Sequence, residues 1–231
     1  MFFMPMSYWL FAIPGLLLAG LATVYTKATF SRYSKVGASS RMTGAEAARQ
    51  MLADQGVHDV KIEPVRGFLS DHYDPMSRTL RLSPDVYGSR SLSAIGVACH
   101  EAGHALQHAS GYAPLSIRSA MVPLANIGSN AAYFFVFLGL FINSVGLIQI
   151  GALVFLAAVA FSLITLPVEW NATARAKALM VSSGIVSYQE SVGAGRVLNA
   201  AFMTYVAAAV SALLTLLYYL MRAGLLGGRR D

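Results

Sequence analysis

The stretch His100-Glu101-Ala102-Gly103-His104 decides how the rest of the chain is read. On a helix, histidines four residues apart lie about 40° apart around the axis and about 6 Å apart along it. Both imidazoles can then reach one ion, with Glu101 beside it. This is the H-E-x-x-H arrangement of zinc hydrolases: two neutral imidazoles hold Zn²⁺, and the glutamate takes a proton from water on the metal. The plain alternative is a polar helix whose histidines are satisfied by hydrogen bonds.

The flanks of the motif predict its setting. Ser91 can cap a helix running to about Ser110, and Gly111 closes it. Only about eight apolar-leaning residues precede the motif, short of the ~20 that cross a bilayer. The motif helix therefore belongs at the membrane surface or in a polar domain, which argues against an intramembrane protease. Upstream, Thr43-Gly44-Ala45-Glu46 reads as a capping box opening a helix that ends near Gly56. Val60 to Val65 and Phe68 to Tyr73 read as short strands, Asp74-Pro75-Met76-Ser77 as a turn, and Thr79-Leu80-Arg81-Leu82 as a half-buried strand. A strand beside the motif helix could pair with an extended peptide.

Composition places this unit in a membrane protein. Of 231 residues, 56% are hydrophobic and 12% charged, against about 25% charge in soluble domains. Apolar spans are expected at Tyr8 to Thr26, Met121 to Ile142, Leu147 to Leu166 (ended by Pro167) and Val197 to Leu220. The first lacks the basic flank and cleavage site of a signal peptide. The expected layout is an N-terminal transmembrane helix (1–27), a polar α+β region (28–120), a helical hairpin (121–167), a second polar segment (168–196) and a C-terminal span with a short tail (197–231). Lys27, Arg32, Lys35 and Arg41 follow the first span, so the positive-inside rule places both polar segments in the cytoplasm. Arg222, Arg229 and Arg230 fall on the opposite side if the last span crosses fully, a conflict within this topology. The net charge of +6 reports membrane orientation, since no aromatic-basic signature or phosphate loop indicates a nucleic acid. The single cysteine, Cys99, rules out an intramolecular disulfide. It reads as a buried thiol, or as a neighbour of the metal.

A catalytic zinc usually has three protein ligands. The metzincin extension would need Gly at 107 and His at 110, where this chain has Gln107 and Ser110. After His104, the remaining His, Asp and Glu residues are His108, Glu169, Glu190 and Asp231. His108 is too far along a straight helix to share the ion, though it could line the cleft. Asp231 ends the sequence, and Glu190 fits a second capping box, Ser187-Tyr188-Gln189-Glu190. Glu169 remains as the candidate ligand, although a carboxylate at a helix start is also favoured by the dipole alone.

Asp71-His72-Tyr73-Asp74-Pro75, Leu80-Arg81-Leu82-Ser83-Pro84-Asp85, His100-Glu101-Ala102-Gly103-His104-Ala105-Leu106-Gln107 and Leu166-Pro167-Val168-Glu169 together resemble the YugP-like family of bacterial membrane zinc metallopeptidases. The likeness covers nearly the whole chain. It implies a gluzincin-type peptidase of the bacterial plasma membrane, distantly similar in layout to HtpX, with His100, His104 and Glu169 at the metal positions and Glu101 at the catalytic one. The resemblance leads one to expect Asp two residues after the metal-binding glutamate, where this chain has Asn171.

The expected protein is a mainly α integral membrane protein of about four transmembrane helices with a small cytoplasmic α+β zincin-like unit. Its expected activity is that of a zinc endopeptidase, with one Zn²⁺ per chain and Glu101 as general base. It would act on protein or peptide substrates at the bilayer, with no nucleic-acid partner. Arg175, His72 and Tyr188 are candidates for stabilising the oxyanion. Arg175 is preferred because it follows Glu169 on the same helix, though each could equally be a surface residue. The alternative is a non-catalytic scaffold or regulator that retains a zinc site, for which Glu101 would have no use.

Overall fold

A computed structural model describes residues 6–226 of the chain. Residues 1–5 and 227–231, including Arg229, Arg230 and Asp231, lie outside the described residues. The fold is mostly helical, with one three-stranded sheet. Its elements are α1 (Met6–Tyr33), α2 (Gly44–Asp54), β1 (Lys61–Pro64), β2 (His72–Asp74), β3 (Thr79–Leu82), α3 (Pro84–Tyr87), α4 (Leu92–Ala109), α5 (Ala113–Phe141), α6 (Val145–Ser182) and α7 (Tyr188–Arg222). Helices α1, α5, α6 and α7 are each long and apolar enough to cross a membrane.

Three local expectations change. The strand expected from Phe68 is only His72–Asp74, because Gly67 (φ 118°) and Leu69 (φ 53°) take left-handed backbone that an extended strand excludes. Proline 167 does not end its helix; it lies inside α6. A proline removes one helical N–H and crowds one turn, a local cost that long apolar helices tolerate. Glu169 consequently sits within α6, and the helix-start explanation for it no longer applies. The short α3 was not foreseen. Pro84 at its first turn supplies a pre-set φ.

The chain forms two compact units. The first comprises the described residues up to Ala22, Ile117–Leu166 and those from Thr204. Its core joins Ala132, Val136, Phe155, Val159, Tyr218 and Tyr219, with Tyr8 and Phe11 packed against them. Leu10, Leu17, Leu21, Phe134 and Leu153 are exposed on outer faces, as expected of helices solvated by lipid.

The second unit comprises Thr23–Ser116 and Pro167–Met203. Its sheet has the order β1-β3-β2. β3 is central, parallel to β1 with Ile62 opposite Leu80, and antiparallel to β2 with Tyr73 opposite Leu80. Leu80 and Leu82 are fully buried with Met51, Ile95, Ala98, Met180 and Ile185. The Thr43/Glu46 capping box opens α2, and Ser91 caps α4 by accepting from the Ala94 N–H. Gly111 (φ 63°) follows the end of α4. The buried core fixes α4 against α6 and leaves β2 at the sheet edge.

Candidate metal centre

Helix α4 presents His100 and His104 one turn apart, their rings 4.8 Å between centroids and nearly perpendicular. α6 brings Glu169 to the same point. Its Oε2 lies 3.1 Å from His100 Nε2 and 3.5 Å from His104 Nε2, and Glu169 is 1% exposed. The close approach depends on Gly103: a Cβ there would stand 2.8 Å from the Ala172 carbonyl oxygen. Among the described residues, His100, His104 and Glu169 are the group of His, Cys, Asp and Glu able to hold a metal, their ligand atoms all within 4.8 Å of one another.

The donor set fits zinc. Tetrahedral bonds of 2.0–2.2 Å place neighbouring ligand atoms about 3.3–3.6 Å apart, near the 3.1 and 3.5 Å found. The local field also favours a cation. Burial alone would lower the pKa of His104, yet the Glu169 carboxylate, with Glu101 further off, carries it above its ordinary value.

The outer nitrogens of both imidazoles are engaged. Gln107, fully buried, donates from Nε2 to the Val168 carbonyl at 2.8 Å and to Asn171 Oδ1 at 3.0 Å. Both partners are acceptors, so its amide cannot flip, and Oε1 faces His104 Nδ1 at 2.9 Å. The proton is thereby assigned to Nδ1, leaving the Nε2 lone pair for the metal side. His100 Nδ1 lies 3.3 Å from Thr173 Oγ1. Gln107 and Thr173 were not singled out from the sequence. Gln107 carried a usable signal, since it lies one turn from His104 on the same helix. Thr173 carried none, because its role depends on how α6 crosses α4.

Asn171 stands where the resemblance leads one to expect Asp. Its Oδ1 accepts from Gln107 Nε2 and from Arg175 Nε at 2.9 Å. Both neighbours are donors, so an amide oxygen meets them as a carboxylate would. The hydrogen-bond partner of His104 is Gln107.

The other candidates are placed as follows. Glu101 is half-exposed, one residue after His100. Glu190 accepts from the Ser187 N–H and from the N–H and hydroxyl of Ser39, so it caps α7 and ties down the loop at Ser39. His72 is exposed, with Nδ1 2.8 Å from the Ser70 carbonyl. Tyr188 is largely exposed. Arg175 reaches Ser110 Oγ at 3.4 Å besides Asn171. His108 Nδ1 lies 2.9 Å from the Tyr73 hydroxyl. Cys99 is fully buried, and burial pushes its thiol up to about 12, so it is a neutral core group. Asp71 accepts from the Ser83 N–H and hydroxyl. Burial raises its carboxyl against those two bonds, with a smaller push from the Glu101 charge.

Residues 8–224 match a protein family described as "putative neutral zinc metallopeptidase". The chain belongs to this family. It is 49% identical over 209 residues to a protein of Bacillus subtilis (strain 168) named "putative membrane protease YugP", a match covering 90% of this chain and 93% of that protein. No solved structure matches the chain. The name of that relative and the four apolar helices of this chain agree on a multi-pass membrane protein.

Proposed function

We propose that this chain is a zinc-dependent endopeptidase of the bacterial plasma membrane, with its site on the cytoplasmic side. The observation that carries this reading is the meeting of His100, His104 and Glu169 at separations of 3.1 and 3.5 Å. These three residues would hold one zinc. Bound there, zinc supplies Lewis acidity and lowers the pKa of water towards ~7. Glu101 takes the proton from the attacking water and returns it to the leaving amine nitrogen. Gln107 holds His104 in one tautomer, and Thr173 Oγ1 lies against His100 Nδ1 and orients that ring. β2 is an edge strand packed against α4, and an extended substrate would pair along it.

Glu101→Gln keeps the volume and removes the base. The purified variant should retain about one zinc per chain and lose cleavage of an unfolded protein substrate by roughly 10²-fold or more. Cleavage at the parental rate would overturn Glu101 as the base. Sidedness follows from the basic residues between Lys27 and Arg196. Cysteines introduced at Ser34 and Ser183 should resist a membrane-impermeant reagent in intact cells, while one at Ser144 should react. The buried Cys99 contributes little background. Labelling of Ser34→Cys from outside would reverse the orientation.

A further inference from the structure

We propose that the cleft at the C-terminal end of α4 takes the free C-terminal carboxylate of a peptide, with Arg175 as its anchor. The cleft holds about 560 Å³, and its polar lining includes Tyr73, Arg78, His108, Ser110 and Arg175. His100, Glu101, His104 and Glu169 do not line it, so it is a separate place on the same two helices.

Arg175 is half-buried, and its bonds go to neutral acceptors. Nε donates to the Asn171 amide oxygen and Nη2 to the Ser110 hydroxyl. Among the described residues no carboxylate pairs with it. Asp59 is the one carboxylate lining the cleft, and it is paired with Arg78. A half-buried cation without a counter-ion favours an anionic ligand. The planar guanidinium, fixed at two of its nitrogens, suits the two oxygens of a carboxylate. The bonded pair of Tyr73 and His108 lies on the same cleft wall.

The spacing suits a peptide tail. His108 is about 6 Å along α4 from His104, and Arg175 about 9 Å along α6 from Glu169. An extended peptide advances about 3.3 Å per residue. A carboxylate on Arg175 therefore sets the peptide bond at the metal group two or three residues from the chain end. Tyr73 belongs to edge strand β2, so a peptide paired with that strand would run towards the cleft. This inference rests on the zinc-peptidase reading and narrows the proposed endopeptidase to bonds two or three residues from a free C-terminus. It gives Arg175 the work of anchoring the substrate in place of stabilising the oxyanion.

The test separates binding from turnover. Full-length protein carrying Glu101→Gln is titrated calorimetrically with N-acetyl-trialanine as the free acid and as the C-terminal amide. The acid should bind at least about tenfold more tightly than the amide. Arg175→Met should remove that preference while zinc content stays near one per chain. Ala109→Asp is the second variant. Ala109 is exposed and lines the cleft, so it introduces a counter-ion for Arg175 with little effect on folding, and it should remove the preference likewise. Equal binding of acid and amide, no binding of either, or a preference that survives both variants would overturn the proposal. Absence of cleavage by the parent protein would instead count against the peptidase reading and leave the binding result standing.

Discussion

An added methyl at Gly151, in the first unit, would meet Val136 Cγ2 at 2.5 Å and Val136 N at 3.0 Å. An added methyl at Gly103, in the second, would meet the Ala172 carbonyl oxygen at 2.8 Å. Both glycines let two helix backbones approach closely. Around Gly151 the contact brings apolar groups together: Ala132, Val136, Ala152 and Phe155. Around Gly103 it brings polar groups of α4 to polar groups of α6. The hydrogen bonding of the two units divides in the same way. Ser129, Ser162 and Thr215 each bond a carbonyl four residues back on their own helix, and Ser211 adds a reach to Gly15. His100, His104, Gln107 and Asn171 sit in bonds that cross from α4 to α6. The first unit has few bonds between helices, Ser211 to Gly15 and Gln149 to the Ala223 carbonyl, and most of its hydroxyls move with their own backbone, so it absorbs a shift of one helix against another more readily. The second absorbs it less, because its crossing bonds cluster at one point and each fixes two helices to within a few tenths of an ångström.

The strongest way to break this comparison is at the crossing point itself. Glu169→Gln removes the charge that joins α6 to both imidazoles. We expect zinc to fall from about one per chain to well below stoichiometric, with the protein still inserted. Glu190→Gln should keep its zinc, because its carboxylate is engaged by Ser187 and Ser39. Metal analysis of the two variants decides. Zinc retained in Glu169→Gln and lost in Glu190→Gln would move the ligand assignment to Glu190.

The glycines sharpen the comparison. Gly103→Ala and Gly151→Ala both overpack a helix contact, at a cost of about 1–3 kcal/mol each. Their effects on metal should differ. Gly103→Ala pushes α4 from α6 and should weaken zinc binding, whereas Gly151→Ala should lower thermal stability and leave zinc affinity within about threefold. Equal zinc affinity in the two variants would show that the Gly103 contact does not set the ligand geometry.

The division also explains what could be read from the chain. Elements specified by neighbouring residues were legible: the Thr43 and Ser187 capping boxes, the Ser91 cap, the turn after Asp74, and helices long enough to span. Within the site, His100, Glu101 and His104 share one helix, so their spacing announces them. Glu169 was reached by elimination, since few acidic residues remained. Pro167 misled because a local rule against helix prolines was outweighed by a long helix that tolerates one. Gln107 and Thr173 act across the α4–α6 crossing, and no local pattern records that crossing. Asn171 looked like a departure only while its partners were unknown. Both of them turned out to be donors.

The smallest expected effects lie in the shell around the ligands. Gln107→Leu deletes the acceptor for His104 Nδ1–H and the two donors that fix α6. Loss of such a partner typically costs about 10–100-fold in metal affinity, and we expect a loss in that range. A packing defect alone could produce a similar number, so the readout includes the imidazole nitrogen resonances of His104. In the parent, the proton on Nδ1 should be held in one tautomer. In Gln107→Leu the metal-free protein should show exchange between tautomers at His104. Asn171→Asp is the matching control. Its carboxylate would accept from Gln107 and Arg175 as the amide oxygen does, so zinc affinity and the His104 tautomer should stay within about threefold and unchanged, respectively. If Asn171→Asp perturbs His104 as much as Gln107→Leu does, the charge at position 171 governs the ligand, and the amide of Gln107 does not hold the histidine by itself.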